Sequence, residues 1–290
     1  MAQNTEYIRD INQLKVEAIS DLESLLGFAK ELLSSANFRH YIKAKTRIRY
    51  NTFSALYQRA DGVLALTRAN QGNAANILVR SMWETLAEYD FINLETSNIN
   101  LEIRLALESK QQLKTWKDVQ RLRSTHPNAE TWKATISDAA ITRTIARRED
   151  ELLRFSRLHP GTNLDSYKSL FSRLKKIDES NLSKNPDYQT LTQFDYRSVY
   201  SLLSDDTHST VMGNIHNTRL QPKVSLEIRL EAPIYETVRA AHVAYKFLLK
   251  FLQSFNRNQK LRKGTELKVR RDTDKTHDKK YKELQDKYGF

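Results

Sequence analysis

The chain has no cysteine among its 290 residues, and only seven glycines and five prolines. The missing thiols exclude a disulfide framework, cysteine-ligated zinc, iron–sulfur clusters and thiol catalysis, and they suit a reducing compartment. So few Gly and Pro residues cannot supply the turns of a sandwich, barrel or propeller, which reverse direction roughly every ten residues. An all-α fold is expected. No apolar run approaches the roughly eighteen residues of a membrane span, and the opening MAQNTEYIRDIN lacks the basic and apolar blocks of a signal peptide. A soluble, cytoplasmic protein with no membrane partner is therefore expected.

What the chain has in excess is positive charge. Lys plus Arg number 47 against 35 Asp plus Glu, a formal +12. Between Arg257 and Phe290 stand twelve basic and six acidic residues, so half of the net charge falls in this short stretch. Residues 257–290 are accordingly set apart as a basic C-terminal tail. Such an excess attracts phosphate-bearing ligands through long-range fields and counterion release, which makes nucleic acid, RNA above all, the leading partner class. A solvated tail that only aids solubility is the alternative.

Hydrophobic residues make up 39% of the chain, enough for a sizeable core. Their spacing predicts a bundle of seven to nine helices over residues 1–256. Ile8, Ile11, Leu14, Ala18, Leu22, Leu25, Leu26, Ala29, Leu32 and Leu33 recur at three- and four-residue intervals and define a first helix over 5–35. A second runs from about Ile42 to Ala69 and stops at Gln71–Asn73. Asn73 is expected to cap a third, Ala74 to about Leu94, whose apolar positions cover much of its circumference. Breaks at Thr125–Asn128 and His159–Asn163 delimit an Arg- and Glu-rich stretch, Ala129–Leu158, within a helical excursion near 100–160. That stretch is either a solvated surface helix or one that lies over a site. Further helices are expected over Leu164–Ile177, Phe194–Met212 and from Pro233 to Phe255. Only KVSLEIRL, residues 223–230, alternates with period two, so at most one short extended segment is expected.

Two polar groups stand out on this frame. Arg80 and Glu84 occupy positions i and i+4 of the apolar third helix, and so project from one face. Arg197, Tyr200, Ser204 and His208 are spaced three, four and four and share one stripe of a later helix, flanked by Asp205 and Asp206. The segments LVRSMWETLAEYDFI and YSLLSDDTH resemble the two hallmark segments of a bacterial all-helical family catalogued as domain of unknown function 5677, in which an Arg-x-x-x-Glu helix precedes a Tyr-x-x-x-Ser-x-x-x-His helix. The similarity spans roughly Ala36 to Phe255. Because that family is uncharacterised, the resemblance implies a fold and a choice of residues rather than a reaction.

Were the two helices to pack together, His208 would be the natural proton carrier, with Glu84 orienting it and Arg80 and Arg197 clamping a phosphate. Tyr200, Ser204 and Asp205 would supply hydrogen bonds. A histidine base and an arginine clamp suffice for metal-independent RNA cleavage, in which the base activates the 2′-hydroxyl and the cation stabilises charge at phosphorus. The expected function is thus an RNA- or nucleotide-directed helical effector of the toxin or antiphage type. The alternative is a non-catalytic helical module for nucleic acid or a partner protein, with the same residues satisfying one another in a bundle. Long apolar helix faces also suit a homodimer.

Other chemistries lack support. Helical nucleases often carry Arg four to six residues before His, and Arg121–His126, Arg154–His159 and Arg270 or Arg271 with His277 fit. With 24 Arg and seven His, chance alone supplies one or two such pairs, so all three are set aside. A metal site from Asp205, Asp206, His208 and His216 is disfavoured because adjacent Asp side chains diverge by about 100° on a helix. No Walker loop, dinucleotide fingerprint, nucleophile elbow or His-Glu-x-x-His occurs, so no cofactor is implied.

Overall fold

A computed structural model describes residues 2–35, 44–95, 97–125, 137–184, 218–220, 226–228, 234–259 and 263–288. The fold is an all-α multi-helix bundle. Among the described residues there are eight α-helices: α1 (Ala2–Ser35), α2 (Ala44–Arg68), α3 (Gly72–Ile92), α4 (Ile99–Thr125), α5 (Asp138–Leu158), α6 (Leu170–Lys184), α7 (Ile234–Gln259) and α8 (Gly264–Tyr288). The chain divides into two compact units, the first made of residues 1–89 and 194–290, the second of 90–193. No helix among the described residues is long and apolar enough to cross a membrane.

In the first unit α7 packs against α1, α2 and α8, and α1 also touches α2 and α8. The α1 stripe is buried as its spacing predicts, from Ile11 and Leu14 to Ala29 and Leu32, whereas Ile8, one turn earlier, stays 47% exposed. Phe53 of α2 sits between Phe251 and Phe255 of α7, with ring centroids 5.6 and 4.8 Å away, and Tyr89 meets Phe251 at 5.1 Å. Such tilted aromatic contacts add to the area they bury. Val79, Met82 and Leu86 of α3 join the same core, but Ile77 is 43% exposed, so the apolar cover of α3 is less complete than its composition suggests.

The link between α2 and α3 corrects one expectation. Asn70 adopts a left-handed φ of 58°, and the Gln71 and Asn70 amides donate to the carbonyls of Leu66 and Thr67 at 2.8 and 3.2 Å. That closes α2 in a Schellman turn. The Ala75 amide then donates to the Gln71 carbonyl at 2.9 Å, so α3 begins at Gly72, and Asn73 lies in its first turn rather than capping it. Gly72 makes this entry feasible. A β-carbon there would lie 2.6 Å from the Thr237 nitrogen and 2.8 Å from the Glu236 carbonyl carbon, so the two helix starts meet backbone to backbone.

In the second unit α4 packs on α5. Ser137 caps α5 by accepting from the Ala140 amide at 3.2 Å, and the helix ends where the His159 amide donates to the Phe155 carbonyl at 2.9 Å. Gly161 follows with φ 82°. The single helix expected over Leu164–Ile177 is instead a 3₁₀ turn, Leu164–Tyr167, followed by α6. Ser169 makes the break by accepting from the Ser172 amide at 3.0 Å, and Arg173 seals it by donating to the carbonyls of Tyr167 and Lys168.

The alternating stretch at 223–230 contains a strand, β2 (Leu226–Ile228). It pairs antiparallel with β1 (Thr218–Leu220) in the register Thr218↔Ile228, Arg219↔Glu227 and Leu220↔Leu226. The partner strand carries no periodic signal of its own.

Candidate functional site

The first half of the expected constellation is in place. Arg80 Nε donates to Glu84 Oε1 at 3.2 Å along α3; the Arg80 side chain is 11% exposed and that of Glu84 39%. The pair therefore sits at the margin of the core, where the aliphatic stem of Arg80 is covered and the carboxylate fixes the plane of its guanidinium. Arg197, Tyr200, Ser204, Asp205 and His208 lie outside the described residues, as do Asp206 and His216.

A model of the family of unknown function DUF5677 matches residues 48–222, more than half of the chain. The chain belongs to that family. No curated protein and no solved structure matches it. The DUF5677 match takes in both the Arg80–Glu84 segment and the residues from Arg197 to His208, and it is narrower at each end than the span of the resemblance read from the motifs. It leaves out α1, α7 and α8, which contribute most of the core of the first unit.

Outside the matched region, α8 turns the basic tail of this DUF5677 member into a packed helix with two unlike faces. Its inner face buries Leu267 and packs Tyr281 and Leu284 against the core. Along that seam Lys280 donates to Glu17 at 2.7 Å, Lys287 to Glu6 at 2.9 Å, the Tyr288 hydroxyl to Asp10 at 3.0 Å and Arg270 to Ser24 at 3.0 Å, with the Arg270 guanidinium over Phe28. These cations are spent on α1. The buried Tyr245 hydroxyl, raised in pKa by burial, donates to the Arg270 carbonyl at 2.9 Å and ties in α7.

The outer face carries the remaining charge. Lys268, Arg271, Lys275, Lys279 and Lys282 are exposed and recur at three- and four-residue intervals, so they share an arc of about 80° and extend over about 21 Å of helix. At the start of the stripe a cavity of about 360 Å³ is lined by Gln253, Asn256, Arg257, Lys268 and Arg271, together with Gly264 and Leu267. None of its lining residues is acidic. Reading 257–290 by composition alone misses this partition; its signal is the three- and four-residue spacing, legible once the segment is treated as a helix.

The second unit holds a separate cavity of about 400 Å³ between α4 and α5, floored by Leu105, Ala106, Phe155 and Leu158. Glu151 lies on its wall and accepts from Ser109 Oγ and Arg148 Nη1, each at 2.6 Å. Burial alone would raise the Glu151 pKa, but those two donors bring it below the ordinary value. Arg154 also lines this cavity, and His159, which ends α5, bonds Glu102 through Nε2. Of the Arg154–His159 pair set aside above, Arg154 thus lines a real hollow, while the His159 imidazole is engaged by Glu102 of α4.

Proposed function

We propose that this chain binds RNA or another phosphate-bearing ligand through the outer face of α8 and acts on it with the polar groups of the family-matched segment. The acid-free cavity bounded by Arg257, Lys268 and Arg271 is the observation that carries this reading. Three cations around one hollow with no carboxylate among them suit a phosphate group, and the stripe that continues along α8 suits a chain of phosphates. Internal pairing accounts for Lys280 and Lys287, and Lys279 reaches only the exposed Glu283 at 3.8 Å, so the outer face, led by Lys268, Arg271, Lys275 and Lys282, is the one placed for an external anion. In the proposed reaction Arg80 and Arg197 hold the phosphate, Glu84 orients its partners and His208 transfers the proton, with Tyr200, Ser204 and Asp205 as hydrogen-bonding support. A toxin or antiphage effector is the biological class this chemistry fits.

Binding and chemistry separate in one set of measurements. Fluorescence anisotropy with labelled single-stranded RNA across a salt series is expected to give a steep salt dependence for the wild type. Replacing Lys268, Arg271, Lys275, Lys279 and Lys282 with Gln should reduce the slope of log K against log salt by about 3 to 4, near 0.7 for each cation that neutralises a phosphate. In EDTA, wild-type cleavage of total RNA that His208→Ala and Arg80→Ala both lose supports the catalytic half. Binding that survives in a wild type that never cleaves assigns the chain to the non-catalytic module instead, and a salt slope indifferent to the five substitutions removes the proposed surface.

A further inference from the structure

On the flank of α8 that meets α7, three potential ligand side chains converge with no role in the reading above. Asp274 and Asp278 stand at i and i+4 of α8 and so share a face, and His242 reaches them from α7. His242 Nε2 lies 3.0 Å from Asp278 Oδ1 and 3.9 Å from Asp274 Oδ1, and the three ligand atoms all fall within 4.8 Å of one another. We infer that His242, Asp274 and Asp278 form a binding site for a divalent first-row transition metal ion.

The donor set defines the ion class. One imidazole nitrogen and two carboxylate oxygens suit zinc, manganese, iron or cobalt in the divalent state, whereas calcium and magnesium favour shells made only of oxygen. Bond lengths of about 2.0–2.2 Å to nitrogen and oxygen require donors a little over 3 Å apart, so small side-chain rotations close the site. Water would complete the coordination from the Asp278 side, where that carboxylate is half exposed.

A second observation points to a cation independently of the ligand spacing. Asp274 Oδ1 is buried and accepts no hydrogen bond, a costly state for a carboxylate oxygen facing a histidine and a second carboxylate. A metal ion satisfies it. Burial, opposed by Lys246 and reinforced by Asp278, pushes the Asp274 pKa up to about 6. Burial also holds His242 below its ordinary value, against the hydrogen bond with Asp278. Among neighbouring groups, Lys246 donates to Asp278 Oδ1, and the His277 ring lies 5.9 Å from that of His242 while its Nε2 faces Asp21 Oδ2 at 3.0 Å. Lys246 is one-third exposed and holds Asp278 in the metal-free protein, so its ammonium is the group that an incoming ion displaces.

This site clamps α8 to α7 and is independent of the proposed RNA chemistry. Titration calorimetry with zinc and electron paramagnetic resonance with manganese, each on the full chain, should reveal one ion per chain, with calcium showing no competition. Asp274→Asn and Asp278→Asn are expected to weaken binding at least tenfold with an unchanged helical circular dichroism spectrum. Lys246→Gln, which removes the competitor and leaves the ligands, is expected to tighten it several-fold. Absence of saturable binding by the wild type, or affinity indifferent to all three substitutions, overturns the inference.

Discussion

Lys280 Nζ lies 2.7 Å from Glu17 Oε2, joining side chains 263 positions apart in the chain. The contact belongs to a seam in which α8 is held to α1 by apolar burial beneath and by ion pairs above. The two layers differ in weight. An exposed pair such as Lys280–Glu17 contributes at most about 1 kcal/mol, whereas emptying the space of a buried leucine costs about 2–5 kcal/mol. Lys280→Ala should therefore barely move the urea midpoint, and Leu267→Ala should lower it clearly. Equal effects of the two would show that the seam is electrostatic.

Gly72→Ala tests the close approach of α3 and α7. In an open helix the change would stabilise by about 1 kcal/mol through helix propensity. Here the new β-carbon would stand 2.6 Å from a backbone nitrogen that cannot swing aside, so a loss of about 1–3 kcal/mol is expected in denaturant titration. The sign alone decides.

Asp274→Asn should stabilise the metal-free protein in a pH-dependent way. A carboxyl group whose folded pKa is raised to about 6 binds its proton more tightly in the native state. Its favourable contribution is complete below its unfolded value and is lost as pH rises through 6. The variant is thus expected to melt at higher temperature than the wild type at pH 7.5, with the gap closing towards pH 4. A gap constant across that range would mean that Asp274 titrates normally. Metal loading should reverse the order at pH 7.5, because only the wild type binds tightly.

Arg80→Lys separates architecture from chemistry. The i,i+4 pair with Glu84 contributes less than about 1 kcal/mol, and lysine keeps the charge and most of the aliphatic stem. Stability should change little. Lysine cannot reproduce the planar, two-pronged grip of a guanidinium, so the proposed RNA cleavage is expected to fall about tenfold or more. A large loss of stability with activity per folded molecule intact would make Arg80 a structural residue.

Phe155→Ala probes the α4–α5 cavity. The ring is buried on the cavity floor, and its removal should cost about 3–5 kcal/mol locally, seen as faster amide hydrogen exchange across α4 and α5. Unchanged exchange would show that the ring supports the cavity without supporting the helix pair.

How far the sequence discloses this molecule depends on the range of the interactions involved. The α1 stripe and the meeting of Arg80 with Glu84 follow from helical spacing within a few turns. The stop at Gln71–Asn73 is legible too, yet which residue caps α3 depends on Gly72 touching Thr237, a contact no local pattern contains. The division of Leu164–Ile177 turns on the Ser169 side chain competing for a backbone amide, a choice propensity does not rank. At α8, net charge draws attention to the segment but hides that Lys280 and Lys287 serve the interior while Lys275 and Lys282 do not. The i,i+4 spacing of Asp274 and Asp278 is legible in α8, but their convergence with His242 joins two helices and has no local signature. Of the sequence-read candidate site, Arg80 and Glu84 meet as their spacing implies; the stripe from Arg197 to His208 lies outside the described residues.

The meeting of Lys287 with Glu6 also bears on the order of events during synthesis. Residues 90–193 form contacts among neighbours in the chain and can be assembled while translation continues. The acidic flank of α1 must wait for a partner made more than 250 residues later, and closing so wide a loop is slow. Until then the apolar ridge of α1 lacks the cover that α7 and, to a lesser extent, α8 provide in the finished first unit.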